Sequence, residues 1–203
     1  MTKDRLIKTI TEKGFLKTPE IIKAFQKIDR ADFVRPEKLS EAYEDYPLPI
    51  GNGATISQPS TVAFMLENLQ PKKGDKVLDI GSGSGWTTAL LAEIIGSEGK
   101  VYGIEIVPEL VEFGQKNLKK YKFNNASINH AEEGRLGLPK HAPYDKILIS
   151  AAAEKKPYEL TEQLKTGGNI IVPVISSIWK MHKVSEDKIK EEEFSGFNFV
   201  PLK

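Results

Sequence analysis

Two acids and three glycines in the middle of the chain have the types and spacing of a ligand site. Asp79 precedes Gly81-Ser82-Gly83-Ser84-Gly85, and Glu105 follows 20 residues after the last of these glycines. Glycines without Cβ atoms allow a sharp bend and leave backbone N–H groups open to a ligand. A dinucleotide site would show G-x-G-x-x-G around a pyrophosphate. The spacing here is G-x-G-x-G, and the Asp79 carboxylate would repel a pyrophosphate but suit a cation. A ligand with an adenosine and a positively charged amino-acid portion fits, and S-adenosylmethionine is such a molecule. Its ammonium and sulfonium would meet Asp79 and the turn formed by Gly81, Ser82, Gly83 and Gly85. Glu105 would accept hydrogen bonds from the two ribose hydroxyls. Taken singly, Glu105 also reads as an exposed strand-end acid, and Asp79 as a partner of a helix N-terminus.

The elements around these residues must hold them at one edge of a sheet. Val77, Leu78 and Ile80 form a short apolar run suited to a parallel strand buried on both faces. Residues 86–95 have helical spacing, with Leu90, Leu91, Ile94 and Ile95 on one side. Further strands are expected at 101–106, 127–130, 144–150 and 169–174, with helices from Pro108 to Tyr121 and from Pro157 to Leu164. Upstream, residues 2–13 and the segment after Thr18-Pro19-Glu20 read as helices, residues 29–53 as an irregular proline-rich stretch, and a third helix, begun by Pro59 with Val62, Met65, Leu66 and Leu69 as its apolar stripe, is ended by Pro71. Residues 178–184 and 189–194 read as an antiparallel hairpin, with a further strand at 197–200. Strands alternating with helices predict an α/β, doubly wound, mostly parallel Rossmann-like sheet with an N-terminal helical extension and a C-terminal antiparallel hairpin. One domain over 1–203 is expected: helices and a substrate loop in 1–75, a cofactor core in 76–175, and antiparallel strands in 176–203.

Composition narrows the chemistry. With 29 basic and 28 acidic residues the net charge is +1, so no global field favours nucleic acid or a membrane. No cysteine is present, which excludes disulfides, thiolate catalysis and cysteine-bound metal, and fits a reducing cytoplasm. The N-terminus has no signal-peptide core, and no run approaches the ~20 apolar residues of a membrane span. His130, His141 and His182 are scattered, without a Ser/Asp arrangement or metal-ligand spacing. Methyl transfer to a carboxylate would need no such group: free carboxyls titrate near pH ~4 and are already ionised. It depends on holding the reactants about 3–3.5 Å apart and excluding water.

At this point the chain resembles the protein-L-isoaspartate O-methyltransferases, over nearly its whole length. The resemblance rests on Asp29-Arg-Ala-Asp-Phe-Val34, on Pro47-Leu-Pro-Ile-Gly51 followed by Thr55-Ile-Ser-Gln-Pro59, on Val77 through Gly85, on Gln163-Leu-Lys-Thr-Gly-Gly168, and on Ile171-Val-Pro-Val174. It implies methyl transfer from S-adenosylmethionine to the α-carboxylate of isoaspartyl residues in damaged proteins and peptides. It implies that Ser57 is the active-site hydroxyl beside that carboxylate. Gln58, Pro59, Ser60, Thr61, Asp79, the glycine turn, Glu105, Glu133 and Gly134 would contact the cofactor. Ile56, Ser57, Pro173 and Val174 would face the peptide. From local sequence alone, Ser57 or Ser60 reads rather as the cap of the helix begun by Pro59, and it is the matching family context that reverses this.

Two departures from the family pattern stand out. Glu132-Glu133-Gly134 replaces the usual Gly-Asp-Gly, placing a longer acid on the adenine side, where it is expected to weaken or shift cofactor binding. The sequence also ends at Lys203, directly after Val-Pro-Leu, where some relatives continue in a tail that reaches the cofactor. Those contacts are expected to be made otherwise or to be lacking. Two other functions fit the cofactor turn: methylation of a small molecule or RNA, and a binding module that senses the cofactor or isoaspartyl peptides without turnover. The near-zero net charge speaks against RNA.

Overall fold

The computed structural model describes residues 1–197 and 199–202. Helices α1 (Lys3–Glu12) and α2 (Pro19–Lys27) form where the apolar spacing places them and bury Leu6, Ile7, Ile10, Ile21 and Phe25. Residues 29–53 are more regular than their prolines suggest. They contain two 3-10 turns, Arg30–Phe33 and Pro36–Glu41, and a strand β1 (Leu48–Gly51) that pairs with β2 (Ala54–Ile56). Leu48 and Ile50 point inward, while Pro49 and Gly51 point to solvent. Pro49 is tolerated because a two-stranded ribbon has only edge strands. Its turn is Asn52-Gly53, both with positive φ (+53° and +73°), the backbone that tight hairpins favour.

Helix α3 (Pro59–Leu69) stops at Gln70, in the left-handed region just before Pro71. Then follow β3 (Lys76–Ile80), α4 (Trp86–Ile95), β4 (Lys100–Glu105), α5 (Pro108–Leu118), β5 (Ala126–His130), β6 (Tyr144–Ile149), β7 (Leu164–Val174), β8 (Ser177–Ser185) and β9 (Lys188–Ser195). The helix expected from Pro157 is only a 3-10 turn, Tyr158–Gln163. Strand β7 starts at Leu164, earlier than expected, because the extra residues around Gly167 (φ +83°) are taken up as a bulge before pairing with β6 resumes at Asn169. Of the expected strand at 197–200, Asn198 lies outside the described residues. Phe197, Phe199 and Val200 belong to no strand; the segment is tied down instead by an isolated bridge between Pro201 and Ala152.

The main sheet has seven strands in the order β5-β4-β3-β6-β7-β8-β9. The first five in that order are parallel, and β8 and β9 are added antiparallel. This is the α/β, Rossmann-like architecture expected. Alternation divides the buried side chains between the two faces: Val77, Leu148 and Ile171 join the core under α1 to α5, while Leu78, Ile147 and Ile170 join the core on the other face. Helix α4 is buried nearly all round, and each large side chain it buries contributes about 1.5–3 kcal/mol. Strand order reverses at β3, where β4 lies on one side and β6 on the other. In open α/β sheets ligands sit in the crevice at the carboxyl ends of the strands at such a point. No helix among the described residues is long and apolar enough to cross a membrane.

Candidate active site

The glycine turn leaves β3 at the reversal point and is held from three sides. Glu105, at the end of β4, accepts from Gly83 N (3.0 Å) through one carboxylate oxygen and from Val107 N (3.0 Å) through the other. Asn117 of α5 donates to Ser84 O (3.0 Å), and Ser82 Oγ donates to carbonyls at the ends of β3 and β4. Helix α5 lies directly on the turn, since a Cβ at Gly114 would come 2.8 Å from Gly83 O and one at Gly85 would come 3.0 Å from Gly114 O. A glycine among the apolar positions of a helix, as Gly114 is among Leu110, Val111 and Leu118, is the sequence signal of such close backbone approach.

Asp79 is completely buried beneath the turn. Its Oδ2 accepts from Thr87 Oγ1 (2.8 Å) and Thr88 Oγ1 (2.6 Å) in the first turn of α4. Its Oδ1 makes no hydrogen bond, and neither does the buried hydroxyl of Ser150 nearby. Burial pushes the Asp79 carboxyl up to about 6, opposed by the hydrogen bonds from Thr88 and Thr87 and reinforced by the nearby Glu105 carboxylate. A buried carboxylate oxygen without a donor is a group that a cationic or N–H-bearing ligand satisfies. Glu105 similarly keeps acceptor capacity on both oxygens beyond its two backbone bonds. The residues present therefore fit the adenosine-and-ammonium ligand expected from the spacing.

Two chambers open beside the turn and Glu105; Asp79, beneath the turn, lines neither. One, of about 100 Å³, is lined by Gly81, Gly83, Glu105, Leu110 and Ser150, and closed over by Val200, Pro201 and Leu202. The other, of about 190 Å³, is lined by Ser57, Gln58, Thr61, Pro47 and Phe199. Thr55, Ser150 and Val200 belong to both walls. A narrow cavity of about 30 Å³ brings Ile56 and Ser57 together with Gly81, Ser82 and Gly83. The turn and the Ser57 loop thus meet at one sheet edge.

Ser57 does not cap α3. That position is Gln58, whose side chain makes no capping bond, and the orphan N–H of Ser60 is satisfied by Asp45 Oδ1 (2.9 Å) from the preceding loop. No hydrogen bond among the described residues occupies the Ser57 hydroxyl. The Ser57 backbone is fixed by Arg30, a buried side chain that donates to the carbonyls of Ala42 (2.7 Å), Glu44 (3.3 Å), Tyr46 (3.1 Å) and Ser57 (3.1 Å). Burial lowers the Arg30 pKa to about 10, countered by Asp45, so the guanidinium is charged at neutral pH.

Other expected site residues lie elsewhere. Gln58 and Thr61 line the second chamber rather than the first, and Pro59 and Ser60 are buried in the first turn of α3. Glu133 and Gly134 are exposed on the loop after β5 and line neither chamber; Ala131 does, in the first. Pro173 and Val174 end β7, bonded to Ala153, and also line neither. Ser150 had no sequence signal of its own, and Arg30, Thr55 and the segment 200–202 lie within family motifs that gave them no role, because each reaches the site through the fold.

A mostly parallel sheet with a glycine turn, a partnering strand-end acid and a cleft at the order reversal defines a Rossmann-like methyltransferase. Comparison with known proteins makes this specific. The model of the protein-L-isoaspartate(D-aspartate) O-methyltransferase family matches residues 1–203. The protein-L-isoaspartate O-methyltransferase of Ignicoccus hospitalis is 45% identical over 205 residues, covering 98% of this chain and 96% of its own. That of Methanopyrus kandleri is 38% identical over 204 residues, with 98% and 90% covered. A crystal structure from Plasmodium falciparum, described as a protein-L-isoaspartate O-methyltransferase in complex with S-adenosyl-L-homocysteine, superposes with TM-score 0.89 at 25% identity, covering 100% of this chain and 99% of that one. The chain belongs to the protein-L-isoaspartate(D-aspartate) O-methyltransferase family.

Proposed function

We propose that this protein is an S-adenosylmethionine-dependent carboxyl methyltransferase that esterifies the α-carboxylate of L-isoaspartyl residues in damaged proteins and peptides, in the cytoplasm. The observation that carries the reading is the shared wall: Ser57, whose hydroxyl has no hydrogen-bond partner among the described residues, lines a chamber that meets the glycine-turn chamber across Thr55 and Ser150. When bound, the cofactor supplies an electrophilic methyl group on a sulfonium. Asp79 and Ser150 would hold its cationic amino-acid end, and Glu105 its ribose. Ser57 would donate one hydrogen bond to the acceptor carboxylate and orient it, a contribution of about 1.5–3 kcal/mol for a charged partner. The carboxylate is ionised at neutral pH, so no residue needs to remove a proton. Arg30, behind the Ser57 carbonyl, holds that loop and adds a favourable potential for an anion. Pro47, Phe199 and Val200 give the acceptor chamber apolar walls that exclude water.

In this reading residues 1–75 supply the acceptor side, 76–175 the cofactor side, and 176–203 the cover over both. The lack of cysteine fits the cytoplasm. The test is methyl transfer from labelled S-adenosylmethionine to paired peptides differing only in isoaspartate or aspartate at one position. Labelling of the isoaspartyl peptide alone is expected; equal labelling of both, or of neither, overturns the reading.

A further inference from the structure

Ile175 occupies a turn position that favours glycine. Strands β7 and β8 join through Ile175 and Ser176, with Val174 paired to Ser177, and Ile175 has φ +57°. Positive φ at the first central position of a two-residue hairpin turn is ordinarily supplied by glycine, because a β-branched side chain there crowds its own backbone. Ile175 is also 74% exposed, more than any other large apolar side chain among the described residues. The side chain thus gains neither backbone comfort nor burial in the free protein. Residues kept in such conformations cluster where they touch ligands.

The turn stands at the carboxyl edge of the sheet and is hydrogen-bonded to two segments that lead into the walls of the acceptor chamber. Ile175 N donates to Ala153 O (3.4 Å), and Ala153 N donates to Pro173 O (2.9 Å). Ser150, which lines both chambers, lies three residues before Ala153, a span of at most ~10 Å. On the other side, Ser176 O accepts from Gly196 N (3.1 Å) and Phe197 N (3.0 Å), fixing the start of the segment whose Phe199 and Val200 wall that chamber. An extended peptide advances about 3.3–3.6 Å per residue, so the path from Ser150 to Ile175, that span plus one strand spacing of about 4.8 Å, is covered by at most about four residues of substrate, and by two or three where the 150–153 path is not fully extended.

We propose that Ile175 is an apolar lip of the peptide site, contacting an apolar side chain two or three residues from the isoaspartyl residue. The assignment rests on the isoaspartyl-peptide reading and adds to it a preference in the substrate's neighbouring sequence. Methylation is measured with the full chain on short isoaspartyl peptides carrying Leu or Ser at successive positions on either side. The unmodified protein is expected to favour Leu by about tenfold in kcat/KM at a position two or three residues away, the size that partial burial of one such side chain supports. Ile175→Gly is expected to reduce that preference to within about twofold, through KM, while leaving cofactor affinity unchanged and raising the melting temperature. Ile175→Leu is expected to keep the preference. A preference that survives in Ile175→Gly, or none in an unmodified protein that methylates these peptides, overturns the lip. Failure of the unmodified protein to methylate any isoaspartyl peptide, with cofactor binding intact by calorimetry, overturns the function itself and the lip with it.

Discussion

Replacing Asp79 by Asn should make the free protein more stable at neutral pH and a poorer binder of its cofactor. The carboxyl has an ordinary value of 3.8 and is pushed up to about 6 in the fold. That gap corresponds to about 3 kcal/mol of differential stability. The folded chain holds the Asp79 proton more tightly than the unfolded chain. The associated stability is therefore fully present below pH 3.8 and is lost as pH rises through about 6. An amide is neutral throughout, and its oxygen can still accept from Thr87 and Thr88. The stability of Asp79→Asn minus that of the unmodified protein should therefore rise by about 2–3 kcal/mol between pH 4 and pH 7. Denaturant unfolding across that range measures the difference, and subtracting the two profiles removes the other carboxylates, which titrate alike in both proteins. Added S-adenosylmethionine should reverse the order, because a ligand that binds only the folded state stabilises it by RT ln(1 + L/Kd) at free-ligand concentration L, which is larger for the tighter binder. Parallel pH profiles would show that the buried carboxylate carries no such penalty. Equal stabilisation of both proteins by the cofactor would remove Asp79 from its recognition.

Three further perturbations probe other parts of the site. Gly114→Ala places a Cβ 2.8 Å from Gly83 O; the ~1 kcal/mol gained in helix propensity should be outweighed by about 1–3 kcal/mol of overpacking, and calorimetry should show cofactor affinity falling about tenfold. Unchanged affinity would mean that the turn does not need α5 against it. Ser57→Ala should lower kcat/KM on isoaspartyl peptides by about 10- to 100-fold, with the cofactor dissociation constant unmoved, as expected for loss of one hydrogen bond to a charged group; a fully active variant would strip Ser57 of its role. Arg30→Met strands the four carbonyls that Arg30 now satisfies. It should cost more than about 3 kcal/mol in chemical denaturation, and a loss under about 1 kcal/mol would show that the 42–57 loop holds itself.

Legibility followed the range of the interactions. Strand β3, its turn, α4 and β4 were readable because each is specified by residues within a turn or two of one another: apolar runs for buried strands, helical spacing for α4, glycines where the backbone must bend. The β1–β2 hairpin was equally local, and its Asn52-Gly53 turn announced it, but the surrounding prolines masked the alternation of Leu48 and Ile50. The stop of α3 before Pro71 was local too.

The sequence by itself determined the alternating α/β order, the glycine turn with Asp79 and Glu105, and, through motif resemblance, the Ser57 loop. Only the tertiary structure decided how deep and how exposed those groups are. It buried Asp79 with one oxygen unpartnered, passed the capping of α3 to Asp45 so that the Ser57 hydroxyl has no partner among the described residues, and left Glu133 outside the cleft. It also brought Thr55, Ser150 and Val200 into one wall between two chambers. These residues come from three distant segments, and their meeting depends on strand order and on loops closed over long separations. Such closure is driven by burial summed over the whole core, and no local pattern in the chain records it.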